Sequence, residues 1–409
     1  MPNKIVKQKE YIPYGRQFVT DEDIKEVLKI LKSDYLTQGP VVEDFEKSLA
    51  RFVKCEHSVA VNSGTSALHL ACKALDLKKG DLVWTTPITF VASANCAKYC
   101  GADVDFVDID LSNGLICIDK LEEKLLKARK IGNLPKVIIP VHLAGNSCDM
   151  KRIFNLSQKF GFKIIEDASH ALGGSYLNNF VGACTYSHLT VFSFHPVKMI
   201  TTGEGGMVTT NDDKIASKLY QLRTHGITKD PSLFEINAAG PWSYEQQILG
   251  FNYRMTDIQA ALGRSQLKRL TEFVSIRRRI LRIYEEELKD EPILFLKEKR
   301  DVVSSVHLVI IRLNNQSKDI HKKLFESLRE ELIGVQLHYI PVHLHPFYRR
   351  LGFYEGQFPN AELYGKSAMS LPVYPGLKEN FIDKGHVYIE FKNFPLDMAA
   401  MNASKIAHC

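Results

Sequence analysis

The sequence predicts an α/β fold, a large and mainly parallel seven-stranded sheet followed by a smaller α+β C-terminal unit, and three observations carry that expectation. From about residue 58 to 210 a short β-branched run, a loop of small or polar residues and a longer helical pattern recur in turn. That rhythm belongs to a parallel sheet with crossover helices. Several runs, KVIIPV among them, are apolar without alternation, as strands buried on both faces are. After Gly250 the rhythm gives way to a long amphipathic stretch, roughly Thr256 to Leu288, and then to isolated strand-like and helical pieces.

Taken in order, residues 1–20 form an arm without periodicity, residues 21–265 the large unit and residues 266–409 the small one. Strands are expected at 58–61, 82–85, 104–107, 137–141, 163–166, 189–193 and 207–210, with helices at 66–75 and 119–128, where apolar residues recur at helical spacing. In the small unit SSVHLVIIRL reads as a strand, a helix follows near 317–331, and GVQLHYIPV again reads as a strand.

Composition narrows the function. The 409 residues are 45% hydrophobic and 24% charged, enough to bury a substantial core. A net charge of +6 with no basic block longer than Arg277 to Arg279 makes nucleic acid a poor partner. No segment approaches the roughly 18 apolar residues of a membrane span, and no apolar run of leader length follows MPNKIVKQKE. The 8 cysteines include no C-x-x-C pair, so reduced thiols in a cytoplasmic protein are expected.

In an open parallel sheet ligands bind at the carboxyl ends of the strands. After the first strand comes Asn62-Ser63-Gly64-Thr65-Ser66, whose hydroxyls and free helix-terminal N–H groups suit a phosphate, although the same residues make a good helix cap. After the second comes Phe90, either a stacking platform for a planar heterocycle or a core side chain. The fifth strand ends at Glu166 and Asp167; alternation turns at most one of them to the crevice, where Asp167 meets a cation or caps a helix. His170 by itself reads as a structural histidine. Beyond Ser193, Lys198 stands between Val197 and Met199 ahead of a small-residue loop, a setting that desolvates an amine and leaves it nucleophilic. Phosphate cradle, aromatic face, buried Asp and buried Lys are together what pyridoxal 5′-phosphate requires. A dinucleotide fingerprint is missing, since the first turn reads NSGTSA.

The segments NSGTSALHLA, TTPITFVASAN, PVHLAG, IIEDASHALGG, FSFHPVKMITTGEGGMV and LGFNYRMTDIQAALG resemble the signatures of the DegT/DnrJ-type sugar aminotransferases, over about residues 10 to 376. KSDYLTQGP, RTHGIT and HYIPVHLHPFYRRLG resemble the branch that aminates a UDP-linked 4-keto-6-deoxy sugar towards pseudaminic acid. The resemblance implies a fold type I pyridoxal-phosphate enzyme with L-glutamate as amino donor. It implies Lys198 as the lysine that bonds to the cofactor's aldehyde and shuttles the proton, Asp167 as the partner of the pyridine nitrogen and His170 as a hydrogen-bond partner of the ring's phenolic oxygen. Phe90 would stack on the ring, and Gly64, Thr65, Ser66 and Ser193 would hold the phosphate. Asn252 and Arg254 would reach in from a second subunit, so a homodimer with shared sites is implied. Tyr14, Thr37, Gln38, His338, Tyr339 and His343 match segments lining the sugar-nucleotide pocket. No metal is expected, because His338, His343 and His345 have no companion Cys or carboxylate pattern. A related sugar 3-dehydratase would carry histidine in place of Lys198, and a regulator on this scaffold would need a DNA-binding segment longer than the arm. Residues 378–409 match nothing in the family pattern.

Overall fold

A computed structural model describes residues 11–314 and 318–377; residues 378–409 and the first half of the arm lie outside the described residues. Seven strands, β1 (His57–Val61), β2 (Leu82–Thr85), β3 (Asp103–Phe106), β4 (Val137–Ile139), β5 (Lys163–Asp167), β6 (Leu189–Ser193) and β7 (Gly206–Thr210), form one sheet in the order β1-β7-β6-β5-β4-β2-β3. Only β7 runs antiparallel to its neighbours β1 and β6; the other pairs are parallel. The apolar runs without alternation are these strands, and β4 and β7 are buried at every position.

The helices of the large unit are α1 (Asp21–Leu31), α2 (Pro40–Val53), α3 (Gly64–Ala74), α4 (Ala92–Tyr99), α5 (Ile118–Lys130), α6 (Met150–Phe160), α7 (Asp213–Arg223) and α8 (Asp257–Leu267). They cover both faces of the sheet. Val59 and Val61 of β1 enter a core with Leu70, Leu121, Ile153 and Leu219, whereas Ala60 between them enters a second core with Phe45, Leu49, Phe192 and Met207. This split follows from the two-residue period of a strand. Helix starts are fixed locally: Ser63 accepts from the Ser66 N–H, Asp149 from Arg152 and Asp212 from Lys214 and Ile215.

The amphipathic stretch after Thr256 is two helices, α8 and α9 (Leu270–Glu287), rather than one. The break at Lys268 and Arg269 is held by the fully buried Asp23, which accepts from Gln266 (2.7 Å) and Arg269 (2.5 Å). Beyond it, β8 (Ile293–Phe295), β9 (Val309–Leu313) and β10 (Ala368–Leu371) form an antiparallel sheet packed on α9 and on α10 (Lys318–Glu330). GVQLHYIPV is not a strand, contrary to its reading from sequence. Only Gln336 bridges to Ser370; Pro341 has no N–H to continue a ladder, and the His338 carbonyl accepts from the Tyr364 hydroxyl instead. The chain here turns towards the carboxyl ends of the large sheet. No helix among the described residues is long and apolar enough to cross a membrane.

Candidate active site

A cavity of about 460 Å³ opens at the carboxyl ends of β1, β2, β5 and β6, lined among others by Tyr14, Ser63, Gly64, Thr65, Phe90, Asp167, His170, Ser193, Lys198, His338 and Tyr339. It is the size of a small-molecule site. Strand alternation decides between the two carboxylates at the end of β5. Glu166 turns into the core, where His142 (2.7 Å), Ser187 (2.5 Å) and Thr190 (3.0 Å) hold it. Burial opposes its ionisation, but those bonds outweigh burial and lower its pKa. Asp167 turns to the cavity. Its Oδ2 accepts from the Ser93 hydroxyl (2.5 Å) and its Oδ1 from the Ser169 N–H (3.1 Å) and hydroxyl (2.6 Å). Ser93 lies in the first turn of α4 and is itself bonded to Thr89 at 2.7 Å. The carboxylate is thus aimed from two sides.

Lys198 stands on a loop closed on both flanks: its own N–H bonds to the His195 carbonyl (2.9 Å), and Thr202 N–H and Thr201 hydroxyl bond to the Phe194 carbonyl (3.0 and 3.1 Å). Desolvation lowers the amine's pKa to about 8, with Asp167 pulling the other way. The surrounding histidines stay neutral. Burial first, then the charge of Lys198, pushes His338 down to about 3 and His170 well below the usual histidine range. An amine with this pKa is free above about 8, so capture of a small aldehyde by Lys198 is expected to accelerate as pH rises through that value. Reductive labelling followed by mass spectrometry at Lys198 measures it; a midpoint at the value of an ordinary surface lysine would contradict the desolvated setting.

At the end of β1, α3 begins at Gly64, so the N–H groups of Gly64 and Thr65 have no acceptor within the helix. Among the described residues they and the Thr65 and Ser193 hydroxyls make no hydrogen bond. The chain approaches closely here: a Cβ on Gly64 would lie 2.9 Å from the Ser193 Cβ, and one on Gly206 2.4 Å from the Ser63 carbonyl oxygen. Ser66 does not face the cavity; its hydroxyl is spent on Asn62 (2.6 Å) and Ser63 (2.8 Å), which locks the loop. Phe90 is 58% exposed at the cavity wall, which removes the core alternative for it. Tyr14 is placed by main-chain bonds, its carbonyl accepting from Val373 while Ile12 pairs with Leu332 and Gly334.

Residues 17–385 match the model of the DegT/DnrJ/EryC1/StrS aminotransferase family. The chain belongs to this family. It is 40% identical over 365 residues to the UDP-4-amino-4,6-dideoxy-N-acetyl-beta-L-altrosamine transaminase of Campylobacter jejuni, covering 89% of this chain and 92% of that one. Among solved structures it resembles Helicobacter pylori PseC, an aminotransferase involved in the biosynthesis of pseudoaminic acid (TM-score 0.84, 32% identity, 94% of this chain and 100% of that one). It also resembles the pyridoxal-phosphate form of the sugar aminotransferase Spr1654 of Streptococcus pneumoniae (TM-score 0.84, 28% identity, 94% and 100%).

This aminotransferase therefore works with pyridoxal 5′-phosphate, and its cavity suits that group: free N–H and hydroxyl donors for a dianion, a doubly oriented carboxylate, a desolvated amine and an exposed phenyl face. Other expected residues lie elsewhere in the single chain. His343 is buried on the turn Val342–Leu344 and bonds to Glu362 (3.0 Å), a core pair rather than a cavity wall. Gln38 and Arg254 line a separate hollow with Glu46 and Arg223, while Thr37 bridges to Thr256 and Asn252 to Thr224. Beside them the Tyr253 side chain turns inward to His69 (3.1 Å) and its carbonyl accepts from the Asn62 N–H, while Asn252 is exposed and Arg254 half-buried. The reading from sequence missed Ser93, Ser169 and His307. Ser93 lay in TFVASAN, at the start of α4, and Ser169 in EDASH, just past the end of β5; the signal was a hydroxyl within reach of a buried carboxylate.

Proposed function

We propose that this aminotransferase moves an amino group from L-glutamate to the C4 ketone of a UDP-linked 4-keto-6-deoxy-N-acetylhexosamine, in a cytoplasmic route to pseudaminic acid. The observation that carries this reading is the 40% identity, over 89% of the chain, to the Campylobacter transaminase named for the 4-amino sugar nucleotide. The site agrees with it. The N–H groups of Gly64 and Thr65, with the hydroxyls of Thr65 and Ser193, bind the cofactor's phosphate, and Phe90 covers its ring. When bound, the cofactor supplies an electron-withdrawing pyridinium that stabilises negative charge beside the reacting carbon. Asp167 keeps the pyridine nitrogen protonated, its charge held in place by Ser93 and Ser169. Lys198 Nζ, free above about pH 8, takes the proton from the α-carbon of glutamate and returns a proton to C4 of the sugar in the second half-reaction. Tyr14 and His338, whose rings lie 5.1 Å apart, form the wall against which the sugar rests.

The test offers UDP- and dTDP-linked 4-keto-6-deoxy sugars under identical conditions. A higher kcat/KM for the UDP compound is expected; a clear preference for the dTDP compound would assign the enzyme to another nucleotide-linked keto sugar.

The site is shared between two copies of the chain. Asn252 is exposed and Arg254 half-buried at a hollow away from the cavity, and Ile236, Trp242, Tyr244 and Leu249 are 61–79% exposed, which supports this. Mixing inactive Lys198→Ala chains with inactive chains carrying both Asn252→Ala and Arg254→Ala is expected to restore about a quarter of wild-type activity after random exchange, one good site per mixed dimer. No recovery after verified exchange would mean that each subunit completes its own site.

A further inference from the structure

The proton positions around His170 single out a hydroxyl donor. Both ring nitrogens of His170 are occupied within the chain: Nδ1 accepts from the Ala144 N–H at 3.3 Å, and Nε2 lies 3.0 Å from the Tyr339 hydroxyl. A nitrogen that accepts from a backbone N–H carries no proton. The ring is neutral, because burial and then the charge of Lys198 disfavour the imidazolium. Its single proton is therefore on Nε2 and is donated to the Tyr339 oxygen. That oxygen acts as acceptor towards His170, which leaves its own O–H free for another partner. Among the described residues none takes it. Tyr339 lines the cavity with Lys198 and Asp167, its ring 6.2 Å from that of Phe90.

The turn that aims the Ala144 N–H is braced from behind. Ala144 has a positive φ of 59°, and its carbonyl accepts from the His307 N–H (2.9 Å). The His307 ring packs 4.4 Å from that of His170. The buried Arg277 in turn holds the carbonyls of His307 (3.2 Å) and Val373 (2.9 Å). This arrangement fixes one tautomer of His170.

We propose that Tyr339 is the hydroxyl donor of this active site, its O–H directed by His170 at an electron-rich oxygen of the bound ligand: the phenolic oxygen of the cofactor or the ketone oxygen of the sugar. His170 is then a positioning residue that acts through Tyr339, and the direct contact expected for it from sequence passes to the phenol. The proposal rests on the keto-sugar reading above. The step is a hydrogen bond to oxygen that strengthens as negative charge develops there, and no covalent bond forms or breaks at Tyr339.

Holoenzymes of wild type, Tyr339→Phe, His170→Leu and His170→Gln are compared by visible absorption without substrate and by the two half-reactions, with glutamate and with the keto sugar. If the cofactor oxygen is the acceptor, Tyr339→Phe shifts the visible band and slows both half-reactions. If the ketone oxygen is the acceptor, the band and the glutamate half-reaction stay as in wild type and the sugar half-reaction falls roughly 10²-fold. In either case His170→Leu reproduces the Tyr339→Phe pattern and His170→Gln, whose amide N–H can donate to the phenol, recovers much of it. Should Tyr339→Phe fail to fold, the Leu and Gln pair carries the test. A silent Tyr339→Phe, a silent His170→Leu, or a His170→Leu defect without its Tyr339→Phe counterpart overturns the proposal. A wild type that turns over no keto sugar overturns the reading it rests on instead, while the band and the glutamate arm still judge the cofactor contact.

Discussion

Lys198→Ala is expected to lose turnover by roughly 10⁴-fold or more while still taking up the cofactor weakly. In the proposed reaction the amine has two tasks, anchoring the aldehyde and carrying the proton, and among the described residues no other amine lines the cavity. The histidines around it are held neutral by burial, and His170 is committed to Ala144 and Tyr339. Binding through the phosphate survives because the α3 terminus and Ser193 are built independently of the Lys198 loop. Steady-state turnover and equilibrium dialysis of the variant separate the two tasks. A variant with substantial turnover would place the proton shuttle elsewhere.

Asp167→Asn is expected to slow the glutamate and keto-sugar half-reactions together, by roughly 10²- to 10³-fold, because charge stabilisation at the pyridine nitrogen serves both directions. The substitution is nearly isosteric, and the bonds from Ser169 to Oδ1 can persist. The loss therefore reports charge rather than shape. Single-turnover measurements in each direction decide it: a change confined to substrate affinity would reduce Asp167 to a positioning or capping role.

Much of the sheet was legible because the strands are contiguous β-branched runs, a signal that needs no tertiary partner; KVIIPV and LTVFS are buried because the helices on both faces leave no solvent side. Lys198 was legible for a related reason, since an amine between Val197 and Met199 contradicts a solvated loop. Choosing between Glu166 and Asp167 needed only strand alternation plus the strand's end, and β5 supplies both. What stayed hidden depends on groups far apart in sequence. His343 looked like a pocket residue in HYIPVHLHPFY until Glu362, brought back by the helix Pro359–Ser367, claimed it. The division of α8 from α9 is set by Asp23, more than 240 residues earlier. The tautomer of His170 is dictated by a positive φ at a non-glycine residue, Ala144, and no periodicity marks such a position. The placement of Asn252 and Arg254 away from the cavity goes with the inward turn of Tyr253, which required knowing that His69 lay beneath it.

Attachment of the cofactor's aldehyde to Lys198 is open to direct chemical trapping. The cofactor-loaded full-length protein is reduced with borohydride, digested and mapped by peptide mass. The expected result is a single pyridoxyl-phosphate label on Lys198, in the loop that follows β6. A label on any other lysine, or reduction that leaves Lys198 unmodified in a cofactor-saturated protein, would place the anchor elsewhere.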